Sequence, residues 1–384
     1  MEGFALNNIQ NCYLGSTPAT AIFLGSNKIW PTTQHDYSQD YLTFEVIEDT
    51  KFLYRSSYST NKLLYSLDNG STWALLEQQT WTPTITAGNK ILWKQTDLKN
   101  ELSHGVCSFS NNSTIDSSTG DSIPVGKFNI SGNIMSLLYG DDFINKTSLS
   151  RPDIGMDGQC VFMNLFQNCK GLINANNLIL PATTLAGYCY AGMFEGCTSL
   201  TTAPELPATS IDIHCYAGMF SGCSSLTKAP ELPATTALTD CYRYMFKDCT
   251  SLTTAPELPA TKLYGDCYYG MFQGCSSLIT APELPATTLI SYCYSYMFKD
   301  CISLTTAPVL PATTLTDYCY RYMFNGCTNL NYIKMLATDI SATSPLGYWV
   351  YGVSATGTFV KNAAMTTLPT GTSGIPTGWT VRDA

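Results

Sequence analysis

Apolar positions recur in a fixed order along residues 189–327. In each of six units a cysteine is followed by Tyr, two variable residues, Met-Phe, two more variable residues and a second cysteine, as in Cys241–Cys249. The next unit begins 26 residues later, at Cys267. At about 100° per residue, the constant apolar positions fall on one side of a helix. The spacing therefore predicts a short helix with a buried constant face and a wet variable face.

The second half of a typical unit, as at 227–235, reads Thr-x-Ala-Pro-Glu-Leu-Pro-Ala-Thr, with two prolines three residues apart. Proline has no N–H to donate, so this segment is expected to be extended and edge-like rather than helical. Leu226, Ala229 and Leu232 are expected to point inward and to stack on their counterparts in neighbouring units. A strand, a turn and a short helix that bury one face only against the next unit predict a solenoid.

Cysteine spacing follows the same repeat. Two cysteines eight apart on a helix are about 12 Å apart by rise, beyond the disulfide range of about 7 Å, and equivalent cysteines on packed helices are about 8–10 Å apart. We therefore expect buried thiols that act as small hydrophobes; bridges between non-equivalent positions stay open, and zinc is disfavoured because no CxxC spacing is present. Fourteen of the sixteen cysteines form seven pairs: Cys160/Cys169, Cys189/Cys197, Cys215/Cys223, Cys241/Cys249, Cys267/Cys275, Cys293/Cys301 and Cys319/Cys327.

The motif Met-Phe-x-Gly/Asp-Cys-x-Ser-Leu-x-x-Ala-Pro, of which Met271–Pro282 is one copy, resembles the BspA-like leucine-rich repeats. These repeats are abundant in surface proteins of Bacteroidales and in their phages and prophages. The resemblance covers residues 160–335. The family strand usually reads Leu-x-x-Val-x-Ile-Pro, whereas Leu252–Pro259 carries one extra residue and a proline, so the strand is expected to be bulged or very short. Five residues of one repeat are assigned structural roles: Cys189, Met193, Phe194, Cys197 and Leu200.

The flanking segments are predicted to be β structure. Segments Tyr41–Ile47, Leu63–Leu67 and Lys90–Lys94 are rich in strand formers and lie between turn residues, which favours a sandwich-like domain of about seven strands. Near the N-terminus, Leu14-Gly15-Ser16 recurs as Leu24-Gly25-Ser26, which resembles a β-hairpin module at the start of Bacteroidales phage structural proteins.

Ser66–Trp73 matches the Asp-box pattern S-x-D-x-G-x-T-W known from sialidases. That element stabilises a hairpin and is not itself catalytic. Asp68 is expected to bind turn amides, and Trp73 is expected to pack beneath the turn.

The predicted fold class is multidomain α+β. An all-β, sandwich-like N-terminal part precedes a solenoid of 26-residue coils, and a small aromatic β cap covers the last coil. The expected domains are a hairpin anchoring module (1–35), the sandwich-like domain (36–150), a leucine-rich-repeat solenoid of seven repeats (151–335) and the cap (336–384).

Charge excludes one class of function. Lys and Arg number 20 against 29 Asp and Glu, a net charge of −9, and charged residues make up only 13% of the chain. Without a basic cluster to displace phosphate counterions, no nucleic acid partner is expected. No apolar run of about 18 residues is present, so no membrane insertion is expected, and Met1–Asn8 lacks the features of a secretory signal.

Catalytic chemistry is not predicted. His35, His104 and His214 show no ligand or triad spacing, and His214 is expected to be an exposed, variable site. The recurring Glu205, Glu231, Glu257 and Glu283 are expected to form a solvated edge, with a bound cation left open as an alternative. We expect no enzyme activity, no cofactor and no metal.

What remains is a recognition surface on the variable face. Exposed tyrosine offers apolar area and a hydroxyl together, and sugars stack on such rings. The alternative is that the tyrosines pack on neighbouring coils without binding a ligand. The candidate contact residues are Arg243, Tyr244, Lys247, Tyr269, Tyr296, Lys299, Arg321 and Tyr322.

These observations predict a virion attachment protein of a Bacteroidales phage, of the tail or head fibre type. It would bind a host-surface glycan or protein, contact other virion proteins through its N-terminal region, and could form a homo-oligomer such as a trimer. The alternative is a bacterial cell-surface adhesin, and a glycan-processing enzyme is a distant third.

Overall fold

The computed structural model describes residues 13–14, 17–18, 22–24, 27–30, 36–56, 63–77, 79–96, 107–111, 125–149 and 160–384. The chain divides into two compact units, Met1–Tyr37 and Ser38–Ala384. The described strands of the first unit are β1 (Tyr13–Leu14), β2 (Thr17–Pro18), β3 (Ile22–Leu24) and β4 (Asn27–Trp30). They form two antiparallel hairpins, β1 with β2 and β3 with β4. The Gly-Ser residues of both Leu-Gly-Ser motifs lie outside the described residues, and the anchoring role stays a prediction.

The second unit begins with a mostly antiparallel sheet. Its strands are β5 (Leu42–Val46), β6 (Leu53–Ser56), β7 (Leu63–Ser66), β8 (Ala74–Leu76), β9 (Lys90–Gln95), β10 (Cys107–Ser110), β11 (Phe128–Asn133) and β12 (Leu172–Ile179). Six of them pair in the order β12-β11-β5-β9-β7-β8, and β10 pairs with β6. Strands β5, β7 and β9 coincide with the three segments predicted from sequence. The sandwich arrangement stays a prediction.

The sheet is continuous with the repeats. Strand β12 belongs to the first repeat and pairs in parallel with β11. Phe166 of that repeat stacks on Phe109 at a centroid distance of 5.8 Å. One buried core therefore runs from the sheet into the repeats. Between them lies α1 (Ser136–Tyr139), the single α-helix within the described ranges.

The Cys-to-Cys segment of each repeat is not a helix, so that prediction was wrong. Along Cys241–Cys249 the backbone N–H groups bond alternately in two directions. The N–H of Tyr244 donates to the Tyr269 carbonyl of the next repeat at 2.9 Å, whereas the N–H of Met245 donates to the Tyr242 carbonyl at 3.2 Å. Tyr244 has φ 55°, a left-handed conformation that an α-helix of L-residues does not contain. The segment is a series of consecutive turns tied to the next repeat.

The predicted burial is nevertheless observed. Cys, Tyr, Met, Phe and Cys of every regular repeat are buried, and the variable positions between them are mostly half-buried or exposed. Buried pairs alternate with more exposed pairs, which is a period of four residues. Over nine residues, that period looks the same as the 3.6-residue period of a helix. The series of turns differs from a helix in its hydrogen bonds to a neighbouring repeat. Those bonds do not affect the order of apolar and polar residues within one repeat.

Hydrogen bonding between repeats brings their buried rings into columns. Successive phenylalanine centroids lie 5.4–5.7 Å apart, with near-parallel planes. The 12 Å and 8–10 Å cysteine separations calculated for helices do not apply, because the helices are absent. The phenylalanine column contains Phe166, Phe194, Phe220, Phe246, Phe272, Phe298 and Phe324, and a parallel tyrosine column contains Tyr190, Tyr216, Tyr242, Tyr268, Tyr294 and Tyr320.

The proline-containing halves of the repeats pair through very little strand. Isolated parallel bridges link successive repeats at Thr202, Lys228, Thr254 and Thr280. Two-residue strands β13 (Thr236–Ala237) and β14 (Lys262–Leu263) form one further parallel pair. The very short strand agrees with the expectation from the extra residue and proline. Leu226, Ala229 and Leu232 are buried, as predicted.

The C-terminal segment forms a parallel sheet in the order β15-β16-β17. These strands are β15 (Tyr332–Met335), β16 (Thr358–Lys361) and β17 (Thr380–Asp383). Trp349 lies 6.0 Å from Phe324 at the end of the phenylalanine column, and its indole N–H donates to the Gly374 carbonyl at 2.8 Å. An aromatic residue therefore covers the end of the buried column.

Residues 344–352 repeat the turn pattern once more. Positive φ recurs at Ser344, Tyr348 and Gly352. The sequence pattern did not predict this copy, because Pro345 and Val353 stand where the other repeats have cysteine.

Candidate binding surface

Five tyrosines with solvent-accessible side chains form a continuous line along the repeats, here called the tyrosine row. Successive ring centroids lie 4.7–5.5 Å apart. The members are Tyr244, Tyr269, Tyr296, Tyr322 and Tyr348. The first four were predicted from sequence. Tyr348 was missed, although its spacing of 26 residues from Tyr322 was the signal that could have found it.

Local backbone conformation positions the row. Tyr244, Tyr296 and Tyr322 have φ 55–60°, a region that costs an L-residue about 1–2 kcal/mol. Sister repeats carry glycine at the same place, as at Gly270. A Cβ on Gly270 would meet the Tyr244 ring, so the missing side chain lets that ring lie across to Tyr269. Stacking between rings offsets the backbone cost in the repeats that have tyrosine.

The ring faces within the row cover one another. Tyr296 and Tyr322 are inclined by 22°, and Tyr322 and Tyr348 by 11°. Ring edges and hydroxyls therefore face the solvent, and none of these three hydroxyls bonds within residues 160–384, all of which are described. Burial, reinforced by the neighbouring Tyr322, raises the pKa of Tyr296, so its hydroxyl stays protonated and can both donate and accept.

The predicted cations lie beside the row, and three of them are paired with carboxylates. Arg243 donates to Asp240 at 3.0 Å and lies 3.3 Å from Asp266. Burial and the adjacent Asp240 raise the pKa of Asp266, and Arg243 opposes that rise. The two lysines each pair with the following aspartate, Lys247 with Asp248 at 3.7 Å and Lys299 with Asp300 at 2.6 Å.

Arg321 differs from these three cations. Its guanidinium carbon lies 5.4 Å from the Tyr318 ring centroid and 5.1 Å from that of Tyr322. Within residues 160–384 no carboxylate oxygen lies within 4.0 Å of it. The structure thus brings all eight candidate residues to one face and leaves one of their charges without an anion.

The repeat pattern now permits a comparison with known families. Residues 138–271 and 268–344 match the BspA type leucine rich repeat region, in six copies. The chain belongs to this family. The match covers more than half of the 384 residues. Neither the curated proteins nor the solved structures give a match.

BspA-type repeats are typically binding or adhesion scaffolds of surface and extracellular proteins, not catalysts. Within the described residues, no helix is long and apolar enough to cross a membrane. The same part of the chain contains no group of three or more His, Cys, Asp or Glu arranged to hold a metal ion.

The BspA-type cysteines do more than fill space. The thiol of Cys249 donates to the Phe220 carbonyl at 3.1 Å, and that of Cys275 to the Phe246 carbonyl at 3.0 Å. Burial raises the pKa of Cys169 to about 12. Our prediction of buried thiols holds for these residues, but it missed the hydrogen bond. The signal was that cysteine, rather than Ala or Val, recurs at this position in every repeat.

The proline segments of the BspA-type repeats form a groove on another part of the surface, here called the proline groove. One section of about 610 Å³ lies between Lys228–Pro233 and Thr254–Pro259, and a second of about 360 Å³ follows along Pro282–Pro285. The predicted glutamate series is exposed here, as at Glu257. These carboxylates border a groove that is otherwise mostly apolar.

His214 is less exposed than the sequence suggested. It is half-buried, stacks on Tyr188 at a centroid distance of 4.3 Å, and its Nε2 lies 3.7 Å from Asp240. These contacts make His214 part of the packing between neighbouring repeats.

The Asp-box lies on the hairpin between β7 and β8. Asp68 accepts hydrogen bonds from the Thr72 N–H at 2.8 Å and the Thr72 hydroxyl at 2.6 Å. These bonds, together with that from Ser66, lower the pKa of Asp68 to about 2. Trp73 packs edge-on against Tyr41 at 5.1 Å. Asp68 thus stabilises the turn of the hairpin, whereas Trp73 packs the hairpin against Tyr41 outside it.

Proposed function

We propose that the chain is a non-enzymatic attachment protein that binds its surface ligand through the tyrosine row. The continuity of the row, with centroids 4.7–5.5 Å apart, carries this proposal. Tyrosine supplies a large contact area with little conformational freedom to lose, and its hydroxyl adds a polar contact. Because the repeats are hydrogen-bonded to one another, the row is already ordered before a ligand arrives.

A glycan is the ligand class that the row fits best. Extended β-linked polysaccharides repeat at a spacing similar to that of the rings, and their hydroxyls can donate to and accept from the tyrosine hydroxyls. We expected sugars to stack on the ring faces, but inside the row neighbouring rings cover those faces. The row offers an open face at its end, where Tyr348 is 52% exposed. A host-surface protein is the second ligand class.

The test replaces Tyr244, Tyr296 and Tyr322 together by Gly. Sister repeats have Gly218 and Gly270 at this position with φ 62° and 59°, so the backbone accepts the change. Binding to target cells or to an immobilised glycan set should weaken about tenfold or more, since each ring removed is a central contact of the surface. Binding is measured by surface plasmon resonance, and folding by thermal unfolding.

The matched control alters the proline groove instead. Replacing Glu231, Glu257 and Glu283 by Gln changes three repeated residues of the groove and leaves the tyrosine row intact. This variant should bind as the unmodified protein does. Undiminished binding by the tyrosine variant, or loss of binding by the groove variant alone, would refute the tyrosine row as the contact surface.

Whether the protein belongs to a phage particle or to a bacterial cell surface is a separate part of the proposal. The phage hypothesis draws on the N-terminal hairpins and on an outward-facing composition, whereas the family match supports an adhesin-type surface protein. Mass spectrometry of purified phage particles and of the bacterial surface fraction distinguishes a virion fibre from a cell-surface adhesin. Recovery from particles would also make the N-terminal unit the candidate contact with other virion proteins. No observation favours the glycan-processing alternative.

A further inference from the structure

Arg243 and Arg321 occupy the same position in two different repeats, but their surroundings differ. Arg243 is neutralised by Asp240 and Asp266. At the positions equivalent to these aspartates, next to Arg321, stand Tyr318 and Ser344. Among residues 160–384, the two arginines therefore form a natural pair in which one charge is paired with carboxylates and the other is not.

The residues equivalent to Arg321 in the adjoining repeats are small. They are Ser295 in the preceding repeat and Gly347 in the following one. A Cβ on Gly347 would lie 3.4 Å from the Arg321 Cγ, so no side chain at this position covers that part of the arginine. The Ser295 hydroxyl donates to the Arg321 backbone carbonyl at 3.0 Å, so it does not take the place of an anion beside the guanidinium.

Two aromatic rings hold the guanidinium in place. The ring centroids of Tyr318 and Tyr322 lie 5.4 and 5.1 Å from the guanidinium carbon. Ring contacts of this kind stabilise the cation and leave its five N–H donors available. A planar guanidinium with free donors matches the two oxygens of a carboxylate or sulfate.

From these contacts we propose that Arg321 makes the tyrosine row selective for an acidic glycan, one that carries a carboxylate or sulfate group. The acidic group binds the Arg321 guanidinium beside Tyr318 and Tyr322, and the sugar chain continues along the row past Tyr296 and Tyr348. This inference rests on the proposed glycan-binding function and names the chemical class of that glycan.

The test measures binding of the full chain to three oligosaccharides of similar length by isothermal titration calorimetry. All three probes are β-1,4-linked: oligomannuronate carries only carboxylates, sulfated cello-oligosaccharides carry only sulfates, and cello-oligosaccharides are neutral. At least one acidic probe should bind about tenfold or more tightly than the cello-oligosaccharides, and its affinity should fall as NaCl rises. The preferred acidic probe identifies the anionic group.

The variants are Arg321→Gln and its matched control Arg243→Gln. Arg321→Gln should reduce acidic-glycan affinity about tenfold or more and leave neutral-glycan affinity unchanged, whereas Arg321→Lys should retain part of the preference. Arg243→Gln should keep the preference, because Arg243 is already occupied by two carboxylates. Thermal unfolding of all three variants shows that each is folded.

The outcomes separate this inference from the proposed function. Equal binding of all three glycans, or an acidic preference that survives Arg321→Gln, overturns the role of Arg321 and leaves the tyrosine row in place. If poly-glutamate binds and none of the glycans does, the ligand is not a glycan, and an acidic protein partner is indicated. No binding of any probe, the acidic polypeptide included, overturns this inference, whereas undiminished cell binding by the tyrosine-row variant overturns the proposed function.

Discussion

The two halves of one repeat are held in different ways. Every N–H from Cys241 to Cys249 donates to a backbone carbonyl, alternately within the repeat and in the next one. In Ala255–Pro259 of the same repeat, all of it described, no N–H donates to another backbone group. In this repeat the first half thus supplies most of the backbone hydrogen bonds to the next repeat. The second half makes fewer such bonds, and its extended segment borders the proline groove.

Alkaline pH should unfold the Cys-to-Cys half of each repeat and thereby the whole array of repeats. Burial raises the pKa of Cys169, Cys189, Cys215 and Cys267 from 9.0 to about 12. The unfolded chain releases these protons near pH 9 and the folded chain keeps them, so stability is full below pH 9 and falls as the pH rises toward 12. Each pKa unit corresponds to about 1.4 kcal/mol, and domains are typically stable by only about 5–15 kcal/mol.

This loss is measured by circular dichroism of the reduced protein across pH 8–12, followed by a return to pH 7. Reversible unfolding in that interval is expected. A circular dichroism signal that stays native up to pH 12 would contradict the idea that burial raises the pKa of these thiols.

Removing one ring from the phenylalanine column should have the next largest effect. Phe246→Ala deletes a fully buried side chain stacked between Phe220 and Phe272. The expected loss of unfolding free energy is about 3–5 kcal/mol, since the rigid stack cannot collapse into the space. Urea denaturation measures it. A cost below about 1 kcal/mol would mean that the column contributes little to cohesion.

A smaller effect of opposite sign is expected in the buried tyrosine column. The hydroxyl of Tyr294 is buried and has no hydrogen-bond partner. Tyr294→Phe removes this unsatisfied group and should stabilise the protein by about 1 kcal/mol. Tyr242→Phe is the control, because the Tyr242 hydroxyl is not among the fully buried, unsatisfied atoms, and it should change the melting temperature less. Equal shifts in both variants would argue against the orphaned hydroxyl as the cause.

The smallest effect is expected in the proline half. Glu257 is exposed and lies on the open groove. Glu257→Gln should alter unfolding free energy by no more than about 0.5 kcal/mol. A loss comparable to that of Phe246→Ala would remove the distinction between the cohesive and the open half.

Much of the fold followed from the sequence, and the exceptions share a physical cause. The 26-residue period, the buried Met245 and Phe246, and strands such as β9 depend on patterns within one segment. The turns of Cys241–Cys249 depend on hydrogen bonds to another repeat, so a single repeat cannot reveal them. The helix prediction failed for that reason.

The candidate surface divides in the same way. The regular spacing of the variable face located Tyr244, Tyr296 and Tyr322. The contrast between Arg243 and Arg321 could not be predicted, because it depends on which residues of the adjoining repeats lie beside each guanidinium. Tyr348 was overlooked because the two cysteines that frame the motif are replaced around it.

The hydrogen bonds between repeats also give the array a polarity. From Asp240 to Gly326 the inter-repeat bonds of the turn segments all run from one repeat to the following one. The last N–H groups, those of Tyr348 and Val350, find the Ser373 hydroxyl at 3.0 Å and the Thr372 carbonyl at 3.3 Å. A whole duplicated unit would therefore fit between Asp240 and Gly326 with both ends of the array unchanged. Duplication of single repeats can then lengthen the array, so that its binding surface extends toward a more distant receptor.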